Sequence, residues 1–539
     1  MSLNISSWAL APANSVAFIN GSIYTVDTTN PWASGFVVSP EGIFTHVGST
    51  EEVASLANRS QLIVVDLKGN FTMPGIHDAH AHLMLSGLAL ISDANIGTNV
   101  TSFNIAERVQ EGECACEYIN AYQNWILAGQ YTSEGFPNNT VDRQYLDTAF
   151  PDRPVAVGGG AGHGALLNTA ALELAGYDVD NEPDTQGSIF LRRPDGSLTG
   201  ELGETAMNKF GVSLPRPGTP HIKRALKRAM ETAHRSGITS AQEASGNTML
   251  LRALSEMERE GTVKLDVFTH IVYGPEWVSR ESKDDSVRLL AEAEEFRSTH
   301  VHPNFVKIVL DGVPLPPFLS HAPLDADGKV NSTHIQVLDV AEAVNQYDRL
   351  GMTVKIHCTG EGATRMALDA IEAARKNNPG GPRHEIAHNS GVNEGDYERY
   401  AGLNVTAEMS PAAFFGSELE QGSELMDWNF AKMRSAGAHI TVGSDWGAAP
   451  DPTILSFMAN KLEQIGDGSI EKGAELALQM LTLNGAQAVG REREVGSIQV
   501  GKKANFIVVD RDLSRGEFAE ASVLRTYFEG EKVWDAARP

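Results

Sequence analysis

Hydrophobic and polar positions along the chain follow two rhythms, one at each end and another between. Residues 1–72 hold short β-like runs. SVAFINGSIYTVD has apolar stretches on both sides of Asn20-Gly21, a pair that predicts a two-residue hairpin. GFVVSPEGIFTHVG repeats the pattern around Glu41-Gly42, and QLIVVDL follows. The last stretch, residues 491–539, returns to it. The turn Gly501-Lys502-Lys503-Ala504 feeds FIVVD (506–510), and VLRTYFEGEKVWD reverses at Glu529-Gly530. Two β-rich ends around a different middle predict one small β-sandwich built from both termini.

The middle, residues 73–490, alternates apolar strands with amphipathic helices. PHIKRALKRAMETAHRSG (220–237) has helical spacing and stops at Gly237, and ITSAQEA then reads as a strand. FVKIVL (305–310), MTVKIHC (352–358), HEIAHN (384–389), LNVTAEM (403–409) and HITVGSD (439–445) read as strands. Residues 339–351, 362–378, 394–402 and 474–490 read as helices between and after them. Repeated βα units predict an α/β fold with a parallel sheet. A (β/α)8 TIM-type barrel fits this length best, with a doubly wound sheet as the alternative. Two stretches break the alternation and predict insertions. One lies near 83–150, with a helix-like segment CEYINAYQNWILAGQ, and the other near 311–337.

Composition narrows the classes. The chain has 539 residues and 42% hydrophobic content, enough for a sizeable core, so intrinsic disorder is excluded. With 43 Lys+Arg against 69 Asp+Glu the net charge is -26, which argues against a nucleic-acid partner. Three cysteines are too few for a disulfide framework, and Cys114 and Cys116 lack the second pair a zinc site needs. No apolar run is long enough for a membrane span. The N-terminus has no signal-peptide pattern, which predicts a cytoplasmic protein. Eight N-x-[ST] sequons, at Asn4, Asn20, Asn58, Asn70, Asn99, Asn138, Asn331 and Asn404, keep a secreted protein as the alternative. The expected partner is a small-molecule substrate, with neither nucleic acid nor membrane, in a homodimer.

Chemistry concentrates at predicted strand ends, where a barrel carries its active site. MPGIHDAHAHLM (73–84) ends the first strand of the middle region. Strand alternation projects Asp78, His80 and His82 together, so two imidazoles can reach one metal while a carboxylate orients one of them. Lys307 sits among Val306, Ile308 and Val309, where an unpaired ammonium is unfavourable. His357, His388 and Asp445 end later strands, and Trp446 follows. Together these have metal-ligand composition. Phe414, Phe415, Trp446 and the run from Pro314 to Phe318 lie beyond strand ends and are candidates for an apolar substrate wall. The Gly-rich run 158–164 lacks the G-K-[ST] of a phosphate loop.

PGIHDAHAHL, VKIVLDG, KIHCTGEGA, EIAHN and GSDW, in this order, resemble the amidohydrolase superfamily. GGGAGHGALLNTAALELAG (158–176), DGSLTGELGE (195–204) and VGSIQVGKKANFIVVD (495–510) are similar to its YtcJ-like branch, which includes N-substituted formamide deformylase. The resemblance covers nearly the whole chain. It implies a metal-bearing barrel with a β-sandwich. It also implies one or two divalent ions, zinc being expected. His80, His82 and Asp445 would hold one, His357 and His388 a second, and a carboxylated Lys307 would bridge them. Asp445 would also carry the proton in catalysis. His163 would face the substrate as a binding or polarising group, and Glu204 is a weaker candidate for binding. The implied reaction is hydrolysis of an amide-type C–N bond in a small N-acyl, N-formyl or cyclic amide, with an apolar or aromatic substituent. The alternatives are a hydrolytic deaminase, an imine hydrolase or decarboxylase on the same site, or an inactive regulatory or binding protein. The sequence departs from the branch at Ala387, where a glutamate is usual, and in HCTGEGAT (357–364). His384 competes with His388 for the ligand position.

Overall fold

The computed structural model describes residues 14–97, 99–113, 121–411, 428–449 and 451–537. Two compact units divide the chain. One comprises Met1–Asp78, Glu231–Ser240 and Thr453–Pro539, the other Ala79–Met230 and Ala241–Pro452. Among the described residues no helix is long and apolar enough to cross a membrane.

The first unit contains the β-sandwich. One sheet orders its strands Phe44–Gly48, Gly35–Val38, Val16–Ile19, Ile63–Asp66. The other interleaves both chain ends, in the order Glu531–Asp535, Val523–Phe528, Phe506–Val509, Phe71–Pro74, Ser22–Tyr24, Trp32–Ala33. Antiparallel pairing of Phe506–Val509 with Phe71–Pro74 joins the termini. Phe18, Phe36 and Phe44 from one sheet pack with Phe506 and Tyr527 from the other, and the last two rings stack at 4.3 Å. The turns at Glu41-Gly42 and Glu529-Gly530 close hairpins as expected. Asn20-Gly21 does not. Val16–Ile19 pairs within the first sheet and Ser22–Tyr24 within the second, so the positive φ of Asn20 (56°) carries the chain between sheets. The local residues permit a sharp bend; the choice of partner strand is made by long-range packing.

Apart from the first residues of two strands, 76–78 and 238–240, which fall in the first unit, the second unit carries the barrel. Its eight strands are β1 (Ile76–Ala81), β2 (Ile238–Gly246), β3 (Asp266–Gly274), β4 (Val301–Val309), β5 (Thr353–Cys358), β6 (Glu385–His388), β7 (Thr406–Met409) and β8 (His439–Val442), and their order in the sheet is their order in the chain. Parallel strands covered on both faces read as continuous apolar runs, which is how TVKIHC and FVKIV appear. The seam between β8 and β1 is bridged at its C-terminal end. There Asp445 N–H donates to the His80 carbonyl (2.8 Å) and His82 N–H to the Trp446 carbonyl (2.8 Å). Gly443 lies at this seam; a Cβ there would come within 2.5 Å of His80 Cβ.

A third sheet, Ser188–Arg192, Leu198–Glu204, Gly164–Leu167, Val155–Gly159, Ile126–Ala128, occupies the region between β1 and β2 in sequence and has its own cores. Residues 116–120 of CEYINAYQNWILAGQ lie outside the described residues; in the rest the expected helix is corrected, since Ile126–Ala128 is a strand parallel to Val155–Gly159. A short apolar run buried on both faces has no periodicity to separate strand from helix. Cys114 and Cys116 lie outside the described residues. Phe318, in the 311–337 insertion, rests on Gly160, Gly164 and Gly203, where any Cβ would strike its ring. The glycine run is thus a floor for an aromatic side chain.

One buried charge on the barrel strands is matched by a set of partners. Lys355, fully buried on β5, bonds the Ala79 carbonyl (2.5 Å) and Gln242, and lies 3.3 Å from Glu385 Oε2. Lys355→Met should therefore destabilise the protein by about 3–5 kcal/mol, because it strands a buried carboxylate. Adding Glu385→Gln should recover much of that loss in urea-unfolding midpoints.

Candidate metal centre

β1 delivers His80, and His82 follows at its end, N-terminal to the helix Leu83–Ser92. The seam bonds place Asp445 against them: Asp445 Oδ1 is 3.3 Å from His82 Nε2 and 3.7 Å from His80 Nε2. Lys307 on β4 reaches in so that its Nζ is 3.1 Å from His80 Nε2. His388, at the end of β6, points Nδ1 toward Asp445 Oδ2 at 3.8 Å. The His357 and His388 rings are 4.3 Å apart and those of His80 and His388 4.7 Å. All six residues from five strand ends thus meet. His384 does not join them. Its Nδ1 accepts from Val354 N–H and its Nε2 faces Asp348, both at 3.0 Å, which makes it a buried brace.

Glu408 on β7, which sequence reasoning passed over, belongs to the centre. Its Oε2 is 3.0 Å from His80 Nδ1 and also accepts from His388 N–H. A carboxylate only accepts, so His80 donates from Nδ1 and keeps its Nε2 lone pair for the centre. The signal was present in LNVTAEM, an acidic residue inside an apolar strand, as Lys307 is a basic one. His357 obeys the same rule. Its Nε2 donates to the Gly312 carbonyl (3.1 Å), leaving the lone pair on Nδ1.

The residues fit divalent metal. Burial, then the cations around them, holds His80, His357 and His388 far below the ordinary imidazole value, so each stays a neutral ligand. Burial and the charge of Lys355 likewise pull the Lys307 amine down. Nδ1 of His388 is shielded from solvent with no hydrogen-bond partner, as a ligand atom would be. Two sets, His80–His82–Asp445 and His80–His388–Glu408, have ligand atoms within 4.8 Å of one another. His388 (φ 74°) and Asp445 (φ 49°) are held in left-handed backbone, a strain that clusters at functional positions.

A cavity of about 280 Å³ opens on the centre, lined by these ligands and by Leu127, Met207, Phe210 and Trp277 among others. His163 lines it too, with its ring 5.0 Å from His357. Glu204 takes a different place from the substrate-facing one expected. It is fully buried and bonds His163 Nδ1 (3.0 Å), Ser320 (2.6 Å) and Gln336 (2.7 Å), so it holds His163 from behind. Burial lowers the His163 pKa, but Glu204 more than reverses this and the net shift is upward. Trp446 is buried beside the seam and is not among the lining residues, nor is Phe318. Phe414 and Phe415 lie outside the described residues.

The model of the amidohydrolase family matches residues 63–534. The chain belongs to the amidohydrolase family. This amidohydrolase is 26% identical to the N-substituted formamide deformylase of Arthrobacter pascens, over 95% of this chain and 97% of that one. It is also 26% identical to the protein LONG AFTER FAR-RED 3 of Arabidopsis thaliana, over 97% and 92%. Among solved structures, a metal-dependent hydrolase from Pyrococcus horikoshii OT3 shares the fold with a TM-score of 0.68, 21% identity and coverage of 96% and 100%. Family and centre together make this amidohydrolase a metal-dependent hydrolase.

Because Glu408 fixes the His80 tautomer, Glu408→Ala should weaken metal retention by about 10–100-fold. Competition with a chelator, followed by elemental analysis, measures this. Unchanged retention would remove Glu408 from the centre.

Proposed function

We propose that the protein hydrolyses the C–N bond of a small N-formyl or N-acyl amine with an apolar body. The observation that carries this reading is one cavity joining the histidine–lysine–aspartate centre to walls of leucine, methionine, phenylalanine and tryptophan. The full-length likeness to a formamide deformylase supports the choice of amide.

His80, His82 and Asp445 would hold one divalent ion, for which zinc suits the ligands, and His357 and His388 a second. Bound there, such ions polarise a carbonyl and lower the pKa of water. The chain's residues do the rest. Lys307, as a neutral amine, adds carbon dioxide: an N–C bond forms, a proton leaves, and the carbamate offers two oxygens that share one negative charge. Asp445 accepts the proton of the attacking water and returns it to the leaving nitrogen, so the amine departs neutral. His163, fixed through Nδ1 by Glu204, directs Nε2–H at the carbonyl oxygen where negative charge develops. The apolar walls exclude bulk water and orient the substituent.

Metal-loaded protein should release amine from N-formyl benzylamines and N-formyl alkylamines, read by amine derivatisation. Asp445→Asn should lower kcat/KM by about 10²–10⁴-fold with an unchanged circular dichroism spectrum. Turnover of heterocyclic amines to ammonia, with no formamide cleaved, would replace this reading by deamination.

A further inference from the structure

The cavity has a second chemical end. His82 precedes the helix Leu83–Ser92, and the positions that line the cavity along it are Leu85, Ser86 and Ala89, with Asp93 just past its last turn. The spacing 82, 85, 86, 89, 93 is one helical face. Ten helical residues advance the backbone by about 15 Å, so the cavity extends that far from the ligand histidines. Asp93 and Arg280 both line it there. Neither takes part in the reaction proposed above.

The two charges are incompletely matched. Asp93 Oδ1 is shielded from solvent yet has no hydrogen-bond partner. Burial pushes this carboxyl up to about 6, and Arg280 offsets only part of the effect. Arg280 follows the short helix Glu276–Ser279 in left-handed backbone (φ 57°) and lies near the Tyr122 hydroxyl. Among the described residues no ion pair joins Asp93 to Arg280. A shielded acceptor without a donor is unfavourable unless something that binds there supplies one. A methyl tail would leave both groups unsatisfied. A lone carboxylate would satisfy Arg280 and face Asp93, and a lone ammonium would do the reverse.

We propose that the far end of the cavity recognises a substituent carrying both a hydrogen-bond donor, for Asp93, and an acceptor, for Arg280. A primary carboxamide or the ammonium–carboxylate head of an α-amino acid has this chemistry. The substrates are then elongated: an amide at the histidine end, an apolar chain along Leu85 and Ala89, and a donor–acceptor head. Only the identity of the histidine-end group rests on the function proposed above.

The test measures binding apart from turnover. Methyl ketones replace the amide at the histidine end, so the group placed at the metal centre has no C–N bond to cleave. Each has a six-carbon chain ending in methyl, carboxylate, ammonium, carboxamide or an α-amino-acid head. Calorimetry on metal-loaded protein should show the carboxamide or the amino-acid head binding at least tenfold more tightly than the other three, and which of the two wins separates a neutral from a zwitterionic head. Asp93→Asn and Arg280→Met should abolish that preference while leaving the methyl-ended ketone within twofold of its wild-type affinity; Arg280→Lys serves if Arg280→Met fails to fold. Equal binding of the methyl-ended ketone, or a loss shared by all five ketones in both variants, overturns the proposal. Matched formamides assayed in parallel separate the two readings. Head-group preference without formamide turnover refutes the amide reading alone, and turnover without head-group preference refutes this one alone.

Discussion

Two lysine amines set side by side inside the barrel constrain everything around them. Lys307 on β4 and Lys355 on β5 are register partners, and both are buried. Two ammonium groups so placed repel each other in a medium that screens poorly. Lys355 is resolved by fixed partners: a carbonyl, Gln242 and Glu385. Lys307 has no such set. Its neighbours are the imidazole of His80 and the carboxylates of Asp445 and Glu408. The asymmetry turns one lysine into a brace and leaves the other an amine that sheds its proton readily, the property that the carboxylation proposed for Lys307 requires.

The same economy appears at the seam. The barrel closes where Asp445 and Trp446 bond the β1 backbone at His80 and His82, so the interactions that complete the sheet also position the carboxylate. Gly443 is needed because β1 and Glu408 approach too closely for a side chain. Left-handed backbone at Asp445 and His388 is tolerated because strand ends on both sides determine it. Structural closure and ligand geometry are therefore coupled.

How far these features were legible in the sequence follows from the range of the forces involved. The barrel showed itself through apolar strands and amphipathic helices, and H-x-H, Lys307, His357, His388 and Asp445 through their strand-end placement. Strand alternation alone does not separate His384 from His388, because one strand face holds both; the family resemblance favoured His388, and Asp348 and Val354, distant in sequence, make His384 a brace. β3 (Asp266–Gly274) carries the β-rich run DVFTHIVYG, a local signal without a strand-end ligand to mark it. Glu408 is an acid inside an apolar strand, the same local signal that singles out Lys307, but only its contacts with His80 and His388 tie it to the centre. The Asn20-Gly21 pair looked like a hairpin because turn chemistry is local, whereas the pairing of the flanking strands depends on sheets assembled from residues hundreds of positions apart.

Specificity follows a different logic from the metal centre. The ligands sit on strands, whose spacing the hydrogen-bond ladder fixes, so their identities can be read from short motifs. The far end of the cavity is built instead from a helix terminus at Asp93 and a loop at Arg280, joined to the centre by the helix Leu83–Ser92. That helix acts as a ruler: its length sets the distance between the reacting bond and the distal charges, and its apolar face sets what lies between. A chain can keep every ligand while a change in this helix or the segment after it alters the length or polarity of the molecule accepted. Family and centre therefore speak for a metal-dependent hydrolase, whereas the substrate must be argued from the residues that line this chain's own cavity.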